Sequence, residues 1–265
     1  GPTEQLDTAE TVRLMVGRKL DNIYPTIEKT VGDVIFSGEH IFVGKAVRDV
    51  SFQVRAGEIV GVFGLMGAGR TELMRALFGV DGMDAGRVLL NGKPLEKQTP
   101  QNAIAHNIAF ITEDRHREGL VLDMSVEENL ILKRFGSKDF SGKGILKESE
   151  IREYSESLIG RYSIKTFSPE ERVRDLSGGN QQKVVLGRIL STDPKVIMLD
   201  EPTRGIDAGA RRDVYRIIQE LRNTGVGILL ISSDMEEIVE LCDRAAVMVQ
   251  GRMEYFFTGE EIELD

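Results

Sequence analysis

A single cysteine, Cys242, occurs among the 265 residues, which excludes an internal disulfide and a cysteine metal cluster. Its apolar surroundings suit a small buried thiol, and such sparing use of cysteine points to a reducing compartment, the cytosol. The three histidines, His40, His106 and His116, share no ligand spacing with one another or with the cysteine, and read as surface or turn residues. No window approaches the roughly 20 consecutive apolar residues of a membrane span. Nor does a basic stretch followed by an apolar core open the chain. Any tie to a membrane is therefore expected to run through a partner. Basic residues are also in the minority: 34 Lys plus Arg against 43 Asp plus Glu leave a net charge of -9. That balance disfavours broad contact with nucleic acid or an anionic membrane surface, so a phosphate ligand must be held locally. The chain does not start with Met, and Gly1-Pro2 reads as a protease scar, so a piece of a longer polypeptide is expected.

What is present suits one domain or a domain with a subdomain, since 41% of the residues are apolar. Residues 3–20 place Leu6, Ala9, Val12, Val16 and Leu20 at helical spacing until Tyr24-Pro25 stops the pattern, and 1–30 read as a linker. From 31 to 57 the spacing predicts short antiparallel strands at 33–36 and 41–43, followed by the alternation of Val50, Phe52 and Val54. An apolar strand at 58–63, a glycine-rich loop and a helix over 71–78 follow, then strands at 87–90 and 108–112. Residues 114–190 are mostly helical and polar, broken by a Gly/Ser/Lys-rich stretch at 136–144, and read as an inserted helical subdomain. Strands at 195–199, 227–232 and 245–249 then alternate with helices at 208–223 and 235–241. The expected fold is α/β: a core with a mainly parallel sheet, an N-terminal antiparallel β subdomain and the helical insertion. The main domain is expected over 31–258, with a tail at 259–265.

Three short runs carry the chemistry. Gly64-Leu65-Met66-Gly67-Ala68-Gly69-Arg70-Thr71 lies between a strand and a helix, the context a phosphate-binding loop requires. Small residues let successive backbone N–H groups point into one concavity, reinforced by the following helix N-terminus, and the Thr71 hydroxyl is placed to ligate Mg²⁺. Arg70 stands where a lysine is expected; its planar fork pairs with phosphate but does not reproduce a compact ammonium between the terminal phosphates. Asp200-Glu201 ends an apolar strand, with Asp200 positioned for Mg²⁺ and Glu201 for polarising the attacking water as general base. Asp200 is expected beside the loop if the two strands are neighbours. Leu176-Ser177-Gly178-Gly179-Asn180-Gln181 opens a further helix, and its exposed N–H groups and Ser177 hydroxyl make a second anion-binding helix start.

Taken in order, these runs resemble the nucleotide-binding domain of ABC transporters, with Leu176 to Gln181 as the signature. The loop continued through Glu72, the run Glu113-Asp114-Arg115, the Asn180-Gln181-Gln182-Lys183 ending and Ser232-Ser233-Asp234 look like the C-terminal half of the tandem ATPase subunit of bacterial ribose-type monosaccharide importers. The resemblance implies a P-loop NTPase core, an ATPase domain over 31–258, and ATP and Mg²⁺ as cofactors, with 64–72 on the nucleotide. It puts Glu113 where a glutamine usually touches Mg²⁺ and the permease, Asp234 in place of a switch histidine, and Phe42 as a candidate for stacking on adenine. It implies as partners the N-terminal half of the same chain, transmembrane permease subunits and, indirectly, a periplasmic or extracellular sugar-binding protein. No nucleic acid is implied, and the place is cytoplasmic at the inner membrane face. An acidic group at Asp234 is expected to repel the terminal phosphate, so the site on Arg70, Glu113 and Asp234 is expected to turn over slowly while the signature serves the partner half. Two other readings stay open: an active homodimerising ATPase, and a nucleotide-stabilised dimerisation module without catalysis.

Overall fold

The computed structural model describes residues 31–142 and 145–258. The expected linker helix and the tail at 259–265 lie outside the described residues. Strands β1 (Val34–Val43) and β2 (Val47–Arg55) lead into β3 (Ile59–Gly64) and helix α1 (Arg70–Phe78). Next come β4 (Ala85–Leu90), β5 (Lys93–Pro94), α2 (Pro100–Ala105) and β6 (Ile108–Ile111). A π turn at Arg115–Gly119 precedes α3 (Val126–Ile131), the small hairpin β7 (Ser141–Gly142) and β8 (Ile145–Leu146), and α4 (Glu148–Arg161). Helix α5 (Gly178–Leu190), β9 (Val196–Asp200), α6 (Ala208–Asn223), β10 (Gly227–Ile231), α7 (Met235–Leu241), β11 (Arg244–Val249) and β12 (Arg252–Thr258) complete the order.

Two sheets result. The first is antiparallel, in the order β2-β1-β4-β5; the second runs β12-β11-β3-β10-β9-β6, parallel except for β12. Strand β9 shows why the second lies centrally: all five of its residues are buried, the continuous apolar run of a strand covered on both faces. Ile197 and Leu199 pack with α5, α6 and α7, whereas Val196 and Met198 face α1 and the antiparallel sheet. Helix starts are secured locally. Ser125 and Glu128 form a capping box on α3, and the Asp207 carboxylate accepts from the N–H groups of Gly209 and Ala210 on α6.

Three expectations change. The strands expected at 33–36 and 41–43 are one strand, β1, kept continuous through register shifts near Gly38 and Ile41. β10 lies between β3 and β9, so the phosphate-loop strand and the acidic strand are not neighbours. The 114–190 region is more broken than expected: α3 is a short helix followed by turns, and the β7–β8 hairpin falls in the Gly/Ser/Lys-rich stretch. No helix among the described residues is long and apolar enough to cross a membrane.

Candidate active site

The carboxyl ends of β3, β6, β9 and β10 open on a cavity of about 520 Å³ lined by residues 66–72, Glu113, Asp200, Glu201, Arg204 and Ser233. Ligands of open parallel sheets bind at this end of the strands. A second cavity, of about 340 Å³, lies at the opposite ends of β9 and β10 and contains none of these residues. The loop after β3 turns on Gly69, whose φ of 101° and whose approach to the Ala46 carbonyl, 2.1 Å from where a Cβ would stand, admit only glycine. Leu65 and Met66 sit exposed on the rim, and Thr71 and Glu72 begin α1 at the floor.

Asp200 ends β9 almost wholly buried, and neither carboxylate oxygen has a hydrogen-bond partner among the described residues. Burial pushes its carboxyl up to about 6, Glu201 adds to the rise, and the nearby Thr71 hydroxyl and Arg70 oppose it. Glu201 follows at φ 49°, an uncommon conformation for a residue with a side chain and one that clusters at functional sites. Its N–H is tied to the Ile231 carbonyl (3.0 Å), and its side chain returns into the cleft. There Oε2 accepts from the Ser233 hydroxyl (3.0 Å), while Oε1 lies 3.5 Å from Nη1 of Arg70. Arg70 also donates to the Ser232 carbonyl (3.0 Å), and the side chains of Arg70 and Glu201 are only 11% and 10% exposed. The cation of the phosphate loop is thus turned onto the general-base candidate. Across the cleft, Glu113 pairs with Arg204.

The signature run lies on a separate surface. Leu176 and Gln181 are buried, and Ser177 stands at the N-cap position of α5. Its hydroxyl does not cap the helix; it accepts from Nδ2 of Asn180 (3.0 Å), whose Oδ1 accepts from the Lys165 N–H (2.9 Å). Gly179 is required by close approach, and Gly178 is crowded by the end of a long side chain. A Cβ on Gly178 would come 2.8 Å from Nη2 of Arg115, and one on Gly179 would come 2.2 Å from Cβ of Ala210 on α6.

Glycine loop, acidic strand end and signature helix thus share one fold in a defined order, and a family model described as ABC transporter matches residues 47–204. The chain belongs to the ABC transporter family. This ABC domain is 48% identical over 249 residues to the ribose import ATP-binding protein RbsA of Bacillus subtilis (strain 168), covering 94% of this chain and 50% of that protein. It is 44% identical over 251 residues to the protein of the same name from Lactococcus lactis subsp. lactis (strain IL1403), covering 95% and 50%. The chain spans about half the length of the curated relatives it matches. One solved ATP-binding cassette of an ABC transporter matches it with a TM-score of 0.75 at 25% identity, over 86% of this chain and 93% of that one.

Within the ABC domain, two of the expected site residues stand away from the cleft. Asp234 does not line it: it caps α7 by accepting from the Glu236 N–H (3.1 Å) and pairs with Arg211 (2.9 Å). The residue of that turn that faces the cleft is Ser233. Phe42 does not line the cleft either; it lies near the end of β1, opposite Ala85 and 36% exposed. Glu113 is in the cleft, although its carboxylate is already taken by Arg204.

Sequence reasoning passed over Arg204, Ser233 and His116. Ser233 lay inside the quoted run Ser232-Ser233-Asp234, and Arg204 three residues after Glu201. His116 gave no spacing signal, yet its Nε2 lies 2.8 Å from Oε1 of Gln181 in the signature helix. Among the described residues no group of three or more His, Cys, Asp or Glu is arranged to hold a metal. The unpartnered oxygens of Asp200 and the Thr71 hydroxyl fit Mg²⁺ in its usual manner, held by one or two protein oxygens together with substrate phosphates.

Proposed function

We propose that this chain is the C-terminal ATP-binding domain of a tandem ATPase subunit that drives import of ribose or a related monosaccharide. The names of its relatives, ribose import ATP-binding proteins, and the half-length match support that reading. In it the cleft holds Mg-ATP, with residues 64–72 around the phosphates and Thr71 and Asp200 on the metal, which would neutralise phosphate charge when bound. Permease subunits at the cytoplasmic membrane face, with a sugar-binding protein acting indirectly through them, complete the assembly; nucleic acid has no part in it. Residues 176–181 complete a second site on the other half of the tandem chain.

The observation that carries slow turnover at the domain's own cleft is the Arg70–Glu201 pair. To activate water, Glu201 must accept its proton, and the Arg70 cation beside one oxygen and the Ser233 hydroxyl on the other both weaken that basicity. Arg70, held at the Ser232 carbonyl as well, must give up two partners before it meets a phosphate. Calorimetric titration with Mg-ATP, followed by a turnover assay, tests the proposal. Saturable binding with slow turnover is expected, and Arg70→Lys should raise turnover by about tenfold or more, corresponding to 1.4 kcal/mol in the barrier. Fast turnover by the unmodified chain, abolished by Glu201→Gln, would replace this reading with that of an active homodimer.

A further inference from the structure

The side chain of Arg115 joins parts of the molecule that the chemistry above leaves separate. It follows Glu113 by two residues in the loop after β6, and Asp114 shapes that loop by accepting from the N–H groups of His116 and Arg117 (both 3.1 Å). Its Nη1 donates to the Arg204 carbonyl (2.9 Å) and its Nη2 reaches the Gly205 carbonyl (3.5 Å), in the segment after Glu201. The same Nη2 stands 2.8 Å from where a Cβ on Gly178, the first residue of α5, would lie. One residue on, His116 meets Gln181, whose Nε2 is anchored on the Val173 carbonyl (3.1 Å). On the cleft side, Arg204 pairs through its side chain with Glu113. The two loops are therefore clasped twice, by side chains inside the cleft and by Arg115 outside it, and the outer clasp touches the start of the signature helix.

This is a costly way to build a brace. Among the described residues, Nε of Arg115 is buried without a hydrogen-bond partner and no carboxylate bonds the guanidinium. Desolvation lowers its pKa, with only the nearby Asp114 charge opposing. A neutral side chain would fill the place with less desolvation cost. A planar fork does what few other side chains do: it holds two carbonyls while its edge packs on a third segment. An anion entering the cleft would compete with Glu113 for the Arg204 side chain, on the same residue whose carbonyl Arg115 holds.

We infer that Arg115 is a positioning residue that couples occupancy of the nucleotide cleft to the placement of the signature helix start, through the carbonyls of Arg204 and Gly205 and its contact with Gly178. This rests on the reading of the cleft as an ATP site. The test is hydrogen exchange on the full chain with and without Mg-ATP, with binding measured separately by calorimetry. Mg-ATP should slow exchange at residues 177–182 several-fold, and Arg115→Ala should remove that response while the nucleotide Kd stays within about threefold. Arg115→Lys, which keeps the charge and loses the fork, should restore only part of it. If Arg115→Ala does not fold, Gly178→Ala disturbs the same contact from the helix side and should blunt the response. Bound nucleotide with no change at 177–182, or a full response in these variants, overturns the coupling. Absence of saturable binding marks instead the failure of the ATP-site reading, and the coupling falls with it.

Discussion

Asp200 is a carboxylate at the end of an apolar strand, and the surroundings that place it also make its charge costly. Its carboxyl stands at about 6 in the folded chain against an ordinary value of 3.8. A carboxyl raised in this way contributes stability below the unfolded value and loses it as the pH rises through the folded one. Above pH 6 the buried ionised group therefore costs roughly 3 kcal/mol. Asp200→Asn should raise the melting temperature of the nucleotide-free chain at pH 8, with the gain fading toward pH 4; an equal shift at both pH values would contradict the burial argument. Mg-ATP affinity should fall in the unmodified chain as the pH drops below about 6, because the metal needs the ionised carboxylate. The residues singled out from spacing at 64–72 and Asp200-Glu201 meet in one cleft, because there neighbours in sequence are also neighbours in space. The surroundings of Asp234 were not legible, because which of two adjacent side chains in a turn faces a cleft depends on the turn's backbone. There the Asp234 carboxylate is drawn to the α7 N-terminus and to Arg211.

At the scale of elements, α5 is the least tolerant part of the candidate site. It is buried along nearly its whole length and crosses α6 with Gly179 set against Ala210. Gly179→Ala should overpack this crossing and cost about 1–3 kcal/mol, read as a lower denaturation midpoint. No loss would mean that α5 and α6 can separate without strain. The alternating apolar strands and helices from β9 to β11 are legible because each is a continuous apolar run or an amphipathic helix bounded by polar turns. α2 and β12 escaped notice for a physical reason. α2 is short, with Ala103 its only buried residue, and β12 is an edge strand whose Tyr255 and Phe256 are exposed, so neither shows a clean pattern.

For the molecule as a whole, nucleotide binding and stability are linked. At a free Mg-ATP concentration of about 100 times its Kd, stability should rise by about 2.7 kcal/mol, visible as a higher melting temperature, and chelation with EDTA should reverse most of the gain. An unchanged melting temperature at saturation would count against a site that binds only the folded chain. Local patterns were enough to reveal a phosphate loop, an acidic strand end and a signature helix, since each needs only small residues, apolar residues or charges at short spacing. Strand order decided the rest. With β10 between β3 and β9, the Ser232–Asp234 turn comes between the phosphate loop and Glu201, and Arg70 meets a carboxylate more than a hundred residues away. The pairing of Glu113 with Arg204, and the hold of Arg115 on Arg204 and Gly178, likewise exist only because distant strand ends converge on one edge of the sheet. Such contacts depend on which segments the packed core brings together, and residue spacing along the chain does not encode that directly.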